Sequence, residues 1–560
     1  MVVTPSRASG FTSDDGASSG GRAPRQSPFL LLLCLPMTLA LWAMSIELSW
    51  ITTSLDDESV RIQRVLEAAA AMEGDPDASW TSESTSSTFY PDEVFAVDWT
   101  SRIEASDILH QNALHHGCVE HKNNVIPWTY GRPGQNESES RQQLIEKDDP
   151  ELLAKLRECP DVDLFLPEGL RSFGYCEDAA AYTKFLESRM LPRWVLEVSF
   201  EDTTRNRSVT YHDLCPNTPL IFFNHYWEGL LEAADWPAAK PLYLMPNMEM
   251  YELESEHYWR ANVILCKTAL CERYLRKWFR QEGNPRGTRV LYTRHTTSKL
   301  ALTIHSQRNA SEANVLPVKN VSDVSFLHTA GTSYQKGTRQ VLDCWLSRPD
   351  LPPLELYVEQ SRFDELFKAR YGTRIDSSSN IYLHTGQLEP ASFAHIISEA
   401  RYVLCPSLME GYGHYINQAR SSRAFIFTTD VAPMSELITP SSGALIQARV
   451  VAHEGQFLGG TSKKPHALKG VPGFVANFGG RAVCSAVLGV LKYTTPEERA
   501  RRADKALQQY YFDTVFFAQT MRELRVFARA KSHSGRLPGN LRRHEGGAET
   551  SLQPQDAKDK

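Results

Sequence analysis

The sequence predicts an α/β chain: two parallel-sheet units facing a cleft, with a membrane helix at the N-terminus. Three observations predict this. Short apolar runs alternate with amphipathic stretches from about residue 160 to residue 430. A polar stretch at 295–323 divides that alternation into two series. Residues 28–46 carry no charge at all. With 560 residues, 42% hydrophobic and 10% aromatic, the chain is long enough for two substantial domains and tails. A formal net charge of -7, with no basic block interleaved with aromatics, excludes a general nucleic-acid binder.

The N-terminal element comes first. Residues 28–46 read PFLLLLCLPMTLALWAMSI, with Trp42 and Trp50 near the far end. As a helix they reach about 28 Å, close to the thickness of a bilayer core. Arg7, Arg22 and Arg25 precede the run, and Glu47, Asp56, Asp57 and Glu58 follow it. Positive charge stays cytosolic, so the larger C-terminal part is expected in the lumen, as a single-pass type II protein of the Golgi or endoplasmic reticulum. A cleaved signal peptide is the competing reading. The apolar run is long for one, and no small-x-small site follows it. Four N-x-S/T sequons, at Asn136, Asn206, Asn309 and Asn320, agree with a luminal fate.

Of ten cysteines, Cys34 falls in the anchor, which leaves nine and at least one unpaired. Cys118, Cys159, Cys176 and Cys215 are expected to form disulfides. Cys266 and Cys271 stand in a C-x4-C arrangement without partners at metal spacing. Cys344 and Cys405 lie on apolar runs and read as core thiols. No metal site and no cofactor are expected.

The organisation follows in chain order: a cytosolic tail at 1–27, the anchor at 28–50, and a polar stem at 51–90. An N-terminal α/β domain at 91–300 is expected to hold an acceptor, and a C-terminal one at 301–490 to hold a donor. A closing helix at 491–530 and a disordered polar tail at 531–560 complete the chain. In the first domain the strand candidates are 162–166, 194–200, 220–224, 242–245, 263–266 and 289–292, with helices at 178–191 and 271–281. The second alternates more cleanly: strands at 324–328, 354–358, 381–385, 402–406 and 424–429, helices at 337–346, 362–371, 392–400 and 414–421. Such spacing gives parallel sheets with both faces covered. Thr495, Pro496 and Glu498 form the start signal of the closing helix.

Open parallel sheets bind ligands beyond the carboxyl ends of their strands. Three such loops in the second domain carry suggestive residues. The first runs from Ala330 through Gly331, Thr332 and Lys336 to Gly337, where a glycine admits close backbone approach and a lysine at a helix start neutralises phosphate. A plain Lys-Gly turn in solvent is the bland alternative. The second loop holds Ser407, Glu410, Gly411, Tyr412 and Gly413 and leads into a helix containing Gln418. Its amides suit a pyrophosphate, and Glu410 suits sugar hydroxyls. The third is TDVAPMSEL at 429–437, with Glu436 able to face the same crevice or simply to stabilise a helix N-terminus.

In order and at these separations, the three loops resemble the donor domain of retaining GT-B glycosyltransferases of the glycogen-synthase-like superfamily. The fold that resemblance implies is two Rossmann-like domains facing a cleft. It implies that Lys336 pairs with donor phosphates, that Glu410 contacts the transferred sugar, and that transfer proceeds without a metal. In that family a second glutamate eight residues beyond Glu410 binds the ribose, and an arginine follows the phosphate-loop glycine. This chain has Gln418 and Thr332 there, so it carries fewer charges toward a donor.

The first domain then supplies the acceptor side, for a glycan, protein or lipid. PEGLRSFGYCED, with Gly169 and Gly174, is one loop at that edge. His225, Asn247 and Glu249 end other strands and are candidate acceptor or sugar contacts, although Asn-containing turns often bond only their own backbone. Two rival readings remain. A metal-dependent GT-A transferase needs a D-x-D pair, which Asp161 and Asp163 offer at the start of an apolar run. A non-catalytic nucleotide-sugar or glycan-binding protein is suggested by Gln418 and Thr332.

Overall fold

The structure is a computed structural model that describes residues 60, 62–66, 89–203, 206–250, 253–308, 319–451, 468, 471 and 473–532. The expected cytosolic tail and anchor, most of the stem, Asn309 and the tail beyond residue 532 lie outside the described residues. Among the described residues no helix is long and apolar enough to cross a membrane. The chain divides into a unit Met1–Arg64 and a unit Val65–Lys560, and both principal sheets belong to the second.

The described strands of that unit, in chain order, are β1 (Ile126–Pro127), β2 (Asp163–Phe165), β3 (Arg189–Leu191), β4 (Phe200–Asp202), β5 (Arg207–Val209), β6 (Leu220–Phe223), β7 (Leu242–Met245), β8 (Val263–Cys266), β9 (Arg289–Tyr292), β10 (Phe326–Gly331), β11 (Leu354–Val358), β12 (Ile381–Thr385), β13 (Tyr402–Cys405), β14 (Phe425–Thr429), β15 (Ala444–Ile446), β16 (Arg449–Val451) and β17 (Val475–Asn477). The first large sheet has the order β1-β3-β2-β6-β7-β8-β9, parallel except for β1. The second has the order β12-β11-β10-β13-β14-β15 and is parallel throughout. LIFF, LYLM, VILC and YVLC are continuous apolar runs because both faces of each sheet are covered, and all four are buried along their length.

In the second sheet, the chain starts at β10, steps outward to β11 and β12, then returns to β13 on the other side of β10. That reversal opens a crevice between the loops leaving β10 and β13, where doubly wound sheets take ligands. The principal helices around the two sheets are α1 (Ala105–Glu120), α2 (Phe173–Leu186), α3 (Ala269–Glu282), α4 (Leu300–Arg308), α5 (Thr338–Trp345), α6 (His414–Ser421), α7 (Gly480–Tyr493) and α8 (Pro496–Ser532).

Helix α8 has 37 residues, about 55 Å of rise, and joins the two sheets. Thr495 accepts the Glu498 N–H at 3.2 Å, as the sequence predicts for its start. Ala506 packs in the core of the second sheet, whereas Phe517, Met521, Leu524 and Phe527 pack in that of the first. Midway along it, Asp513 accepts from Arg294 at 3.1 Å, Arg420 at 2.7 Å and Tyr90 at 2.7 Å, all buried. Segment 293–299 connects the sheets and runs inside the molecule: every residue from Thr293 to Lys299 is buried.

Among the described residues four disulfides are present: Cys118–Cys176, Cys159–Cys215, Cys266–Cys271 and Cys344–Cys484. The expectation of a core thiol at Cys344 is therefore corrected, since its partner lies 140 residues away on α7. Cys405 is free and buried. Two further expectations are corrected. The strand predicted at 194–200 is a helix, Arg193–Glu197, followed by β4. The helix predicted over 178–191 ends at Leu186, where Glu187 turns left-handed at φ 49°, and 189–191 becomes β3. Its polar Arg189 mimics a helix surface but is buried in a bidentate pair with Asp163, at 3.0 and 3.1 Å.

Candidate functional site

The loops leaving β10 and β13 touch each other, and glycine makes the contact possible. Gly337 sits at φ 69°, and a Cβ there would lie 2.0 Å from the Pro406 carbonyl oxygen. The Leu408 N–H donates to the Gln335 oxygen at 2.7 Å and ties the same two loops. Lys336 is thereby delivered to Glu410, its Nζ 2.5 Å from Oε1 and 3.9 Å from the centre of the Tyr415 ring. Ser407 donates to the same Glu410 oxygen and hydrogen-bonds the Tyr415 hydroxyl at 2.5 Å. Gly413, at φ 102°, precedes α6 as its N-cap, with no side chain to cap the first-turn amides. Gly331 and Thr332 are exposed at the mouth of the first loop. The sequence-predicted residues Lys336, Gly337, Ser407, Glu410, Gly411 and Gly413 are thus contributed by two loops in direct contact.

The first sheet reaches into the same place. The Glu249 carboxylate lies against Gly411 so closely that a Cβ there would be 2.3 Å from Oε2. Glu249 keeps part of its surface open, but its Oε2 is buried without a hydrogen-bond partner. Burial pushes its pKa up to about 7, with the Glu410 charge adding to the rise and Lys267 and Lys336 opposing it. Asn247 also leaves its side-chain oxygen unpartnered, while its N–H is fixed by Asn224 at 2.7 Å. His225 bonds the Phe223 carbonyl oxygen at 3.2 Å and stacks on Trp227. The expected glycine loop is corrected: Gly169 lies in a short 3-10 turn, Glu168–Leu170, and Gly174 in the first turn of α2, both with open space where a Cβ would be. Between them buried Arg171 donates to the carbonyls of Leu166, His121, Asn124 and Met190.

Other predicted donor residues are turned to internal partners. Gln418 donates to Glu177 Oε1 at 2.8 Å, and Ser298 satisfies the same carboxylate through its N–H at 2.8 Å and its hydroxyl at 2.5 Å. Burial works to raise the Glu177 pKa, but the charges of His115 and His414 and the Ser298 bonds outweigh it and hold it low. Glu436 caps α3: its two oxygens accept the N–H groups of Ala269 and Leu270, each at 2.9 Å. Burial raises its pKa to about 7 against those bonds. Tyr412 donates to the His295 carbonyl oxygen and accepts from Asn417 at 2.8 Å.

A further polar centre lies beside these contacts. Asp178, on α2, receives both carboxylate contacts from Lys267 at 3.0 Å and meets His414 Nε2 at 3.0 Å and His295 Nε2 at 2.9 Å. Asp178 is thus the acidic centre of a cluster with one lysine and two histidines. Burial pushes the His295 pKa down to about 4. Ligating atoms of Asp178, His295 and His414 lie within 4.8 Å of one another, a spacing that suits a metal. The Lys267 ammonium already supplies positive charge to this carboxylate, and burying a divalent ion beside it would be costly. The D-x-D pair is engaged elsewhere: Asp161 with Arg525 and Arg529 of α8, and Asp163 with Arg189 and Tyr211. Sequence reading did not single out Glu177, Asp178, Lys267 or His295. The adjacent acids in FGYCEDAAAY, on an otherwise apolar helix, were the available signal.

Asn136, Asn206 and Asn320 are exposed. Asn136 also caps a short helix, accepting the Glu139 N–H at 2.9 Å.

No family model matches the sequence, and no curated protein matches it. Solved structures resemble it in part. The α,α-trehalose 6-phosphate synthase of Burkholderia multivorans is 11% identical, with a TM-score of 0.40 over 58% of this chain and 73% of that one. Sucrose-phosphate synthase of Thermosynechococcus elongatus is 11% identical, with a TM-score of 0.44 over 67% and 99%. The Anabaena HepE protein in complex with UDP and glucose is 13% identical, with a TM-score of 0.35 over 55% and 77%. At these values they say nothing about the substrate of this chain.

Proposed function

We propose that the protein is a glycosyltransferase of GT-B type, moving a sugar from a nucleotide-sugar donor to a glycan, protein or lipid acceptor. The observation that carries this is the Lys336–Glu410 pair at the crevice of the second sheet, a cation and a carboxylate 2.5 Å apart, with Glu410 on the loop that leads into α6 and its first-turn amides. When a donor arrives, its diphosphate competes for Lys336 and for those amides, and Glu410 is released toward sugar hydroxyls. Charge prepositioned at the leaving diphosphate is the largest lever on such a transfer. Lys336 supplies it without a metal. Retention follows from the resemblance of the loops to the glycogen-synthase-like superfamily, with the leaving phosphate oxygen taking the acceptor proton.

Glu249, Asn247 and His225, at the facing edge of the first sheet, then serve the acceptor or the transferred sugar. Residues 28–50 anchor the chain with its larger part in the lumen of the Golgi or endoplasmic reticulum. Four disulfides and the exposed sequons at Asn136, Asn206 and Asn320 support that placement.

The test is a thermal-shift series on the purified protein with UDP- and GDP-sugars, with and without EDTA. A stabilisation by one donor, unchanged by EDTA and lost in Lys336→Ala, is the expected result. No shift with any donor would favour a non-catalytic role. A specific observation speaks for that second reading: Gln418 and Glu436, two of the expected donor contacts, are engaged with Glu177 and α3.

A further inference from the structure

Four charged groups from four separate segments act on one another around Glu249, whose carboxylate lies against Gly411. Glu249 comes from the loop after β7, Lys267 from the end of β8, Lys336 from the loop after β10, and Glu410 from the loop after β13. Their charges are not evenly matched. Lys267 is committed to Asp178, with both oxygens at 3.0 Å, and Lys336 is committed to Glu410 at 2.5 Å. Glu249 alone has no hydrogen-bonded counter-ion, and its Oε2 is closed off from water.

We infer that Glu249 and Glu410 act as a proton-sharing pair, taking up one proton from solvent when a diphosphate draws Lys336 away from Glu410. This rests on the donor-site reading above. A diphosphate that engages Lys336 takes from Glu410 the cation that pairs with it and brings negative charge of its own. Two neighbouring carboxylates in a water-poor site do not both stay ionised. The only change at the pair is protonation of one carboxylate from water or buffer, so no bond is made or broken in the ligand. The raised affinity of Glu249 for a proton before any ligand binds, set first by its burial, agrees with this. Lys267, the other charge that acts on Glu249, is held on Asp178, which also meets His414 and His295, and it does not follow the ligand.

The sign follows from linkage. If the complex holds one more proton than the free protein and free diphosphate together, affinity falls as pH rises, by up to about tenfold per pH unit. Near pH 8 both UDP and GDP are fully ionised, so any uptake belongs to the protein. The experiment is isothermal titration calorimetry of the full chain with UDP and with GDP near pH 8, in HEPES and in Tris buffer. These buffers differ strongly in ionisation enthalpy. The expected result is a buffer-dependent heat that reports uptake of close to one proton. In Glu249→Gln the nucleotide is expected to bind with equal heats in both buffers and an affinity that no longer depends on pH. Equal heats in both buffers with the unaltered protein overturn the inference and leave the donor site standing. Binding of neither nucleotide overturns both.

Discussion

Gln418 on α6 donates to Glu177 on α2, 2.8 Å apart and 241 residues distant in sequence. The position at which the resembling family carries a glutamate is here turned toward a buried carboxylate of the other sheet. A glutamate at 418 would set two buried acids against each other, whereas a glutamine amide offers the donor that Glu177 accepts. Gln418→Glu is therefore expected to destabilise the protein by about 3 kcal/mol. The double variant Glu177→Gln/Gln418→Glu restores most of the loss. Chemical denaturation of the three proteins checks it, and an unchanged midpoint in the single variant contradicts it.

The contact between the two crevice loops depends on an absent side chain. Gly337→Ala places a Cβ 2.0 Å from the Pro406 oxygen at φ 69°. The expected cost is about 2–3 kcal/mol. At Gly174, by contrast, a Cβ meets nothing within 4 Å. Gly174→Ala is expected to stay within about 0.5 kcal/mol of the unaltered protein. Thermal unfolding of the pair separates a loop contact from a general intolerance of substitution.

Much of the fold was legible in the sequence, and the parts that were not have physical reasons. LYLM at 242–245, VILC at 263–266 and LELYV at 354–358 were read with their observed bounds, because a strand covered on both faces is a continuous apolar run or a clean alternation. β3 was missed because its RML begins with an arginine whose burial depends on Asp163, 26 residues away. The contact of the two crevice loops followed from the topology, and Lys336 and Glu410 meet there. The partners of Gln418 and Glu436 lie 241 and 167 residues away, and no local pattern announces them. Glu249 was noted as a strand-end residue, but its approach to Gly411 is a property of how the two sheets meet.

Stability should respond to acid through buried histidines. Burial pushes His110, His212, His295 and His328 down from 6.5 to about 4. A depressed histidine favours the folded state above pH 6.5, and that contribution is lost as pH falls through the window from about 6.5 to about 4. Glu249 and Glu436, raised to about 7, act in the opposite direction: their contribution is present below about 4.5 and lost as pH rises to about 7. With four groups against two, the melting temperature is expected to fall between pH 6.5 and 4. A flat profile over that range contradicts the assignment of neutral buried histidines.

The disulfides are expected to contribute unequally. Cys344–Cys484 closes a separation of 140 residues and Cys266–Cys271 one of 5. On loop entropy, removing the first by Cys344→Ala/Cys484→Ala costs about 4–5 kcal/mol and removing the second about 2 kcal/mol. Equilibrium unfolding of the two double variants checks the order. Cys405, buried and free, is expected to react with a thiol reagent only after unfolding.

The central claim is that the Lys336–Glu410 crevice releases a sugar from a nucleotide diphosphate. Its most direct measurement is nucleoside diphosphate release by the purified protein from UDP- and GDP-sugars, with acceptor or with water, compared with Lys336→Ala and Glu410→Gln. Release from one donor, reduced at least about a hundredfold in each variant while both remain folded, is the predicted result. Release that survives both substitutions, or none from any donor by the unaltered protein, would contradict it.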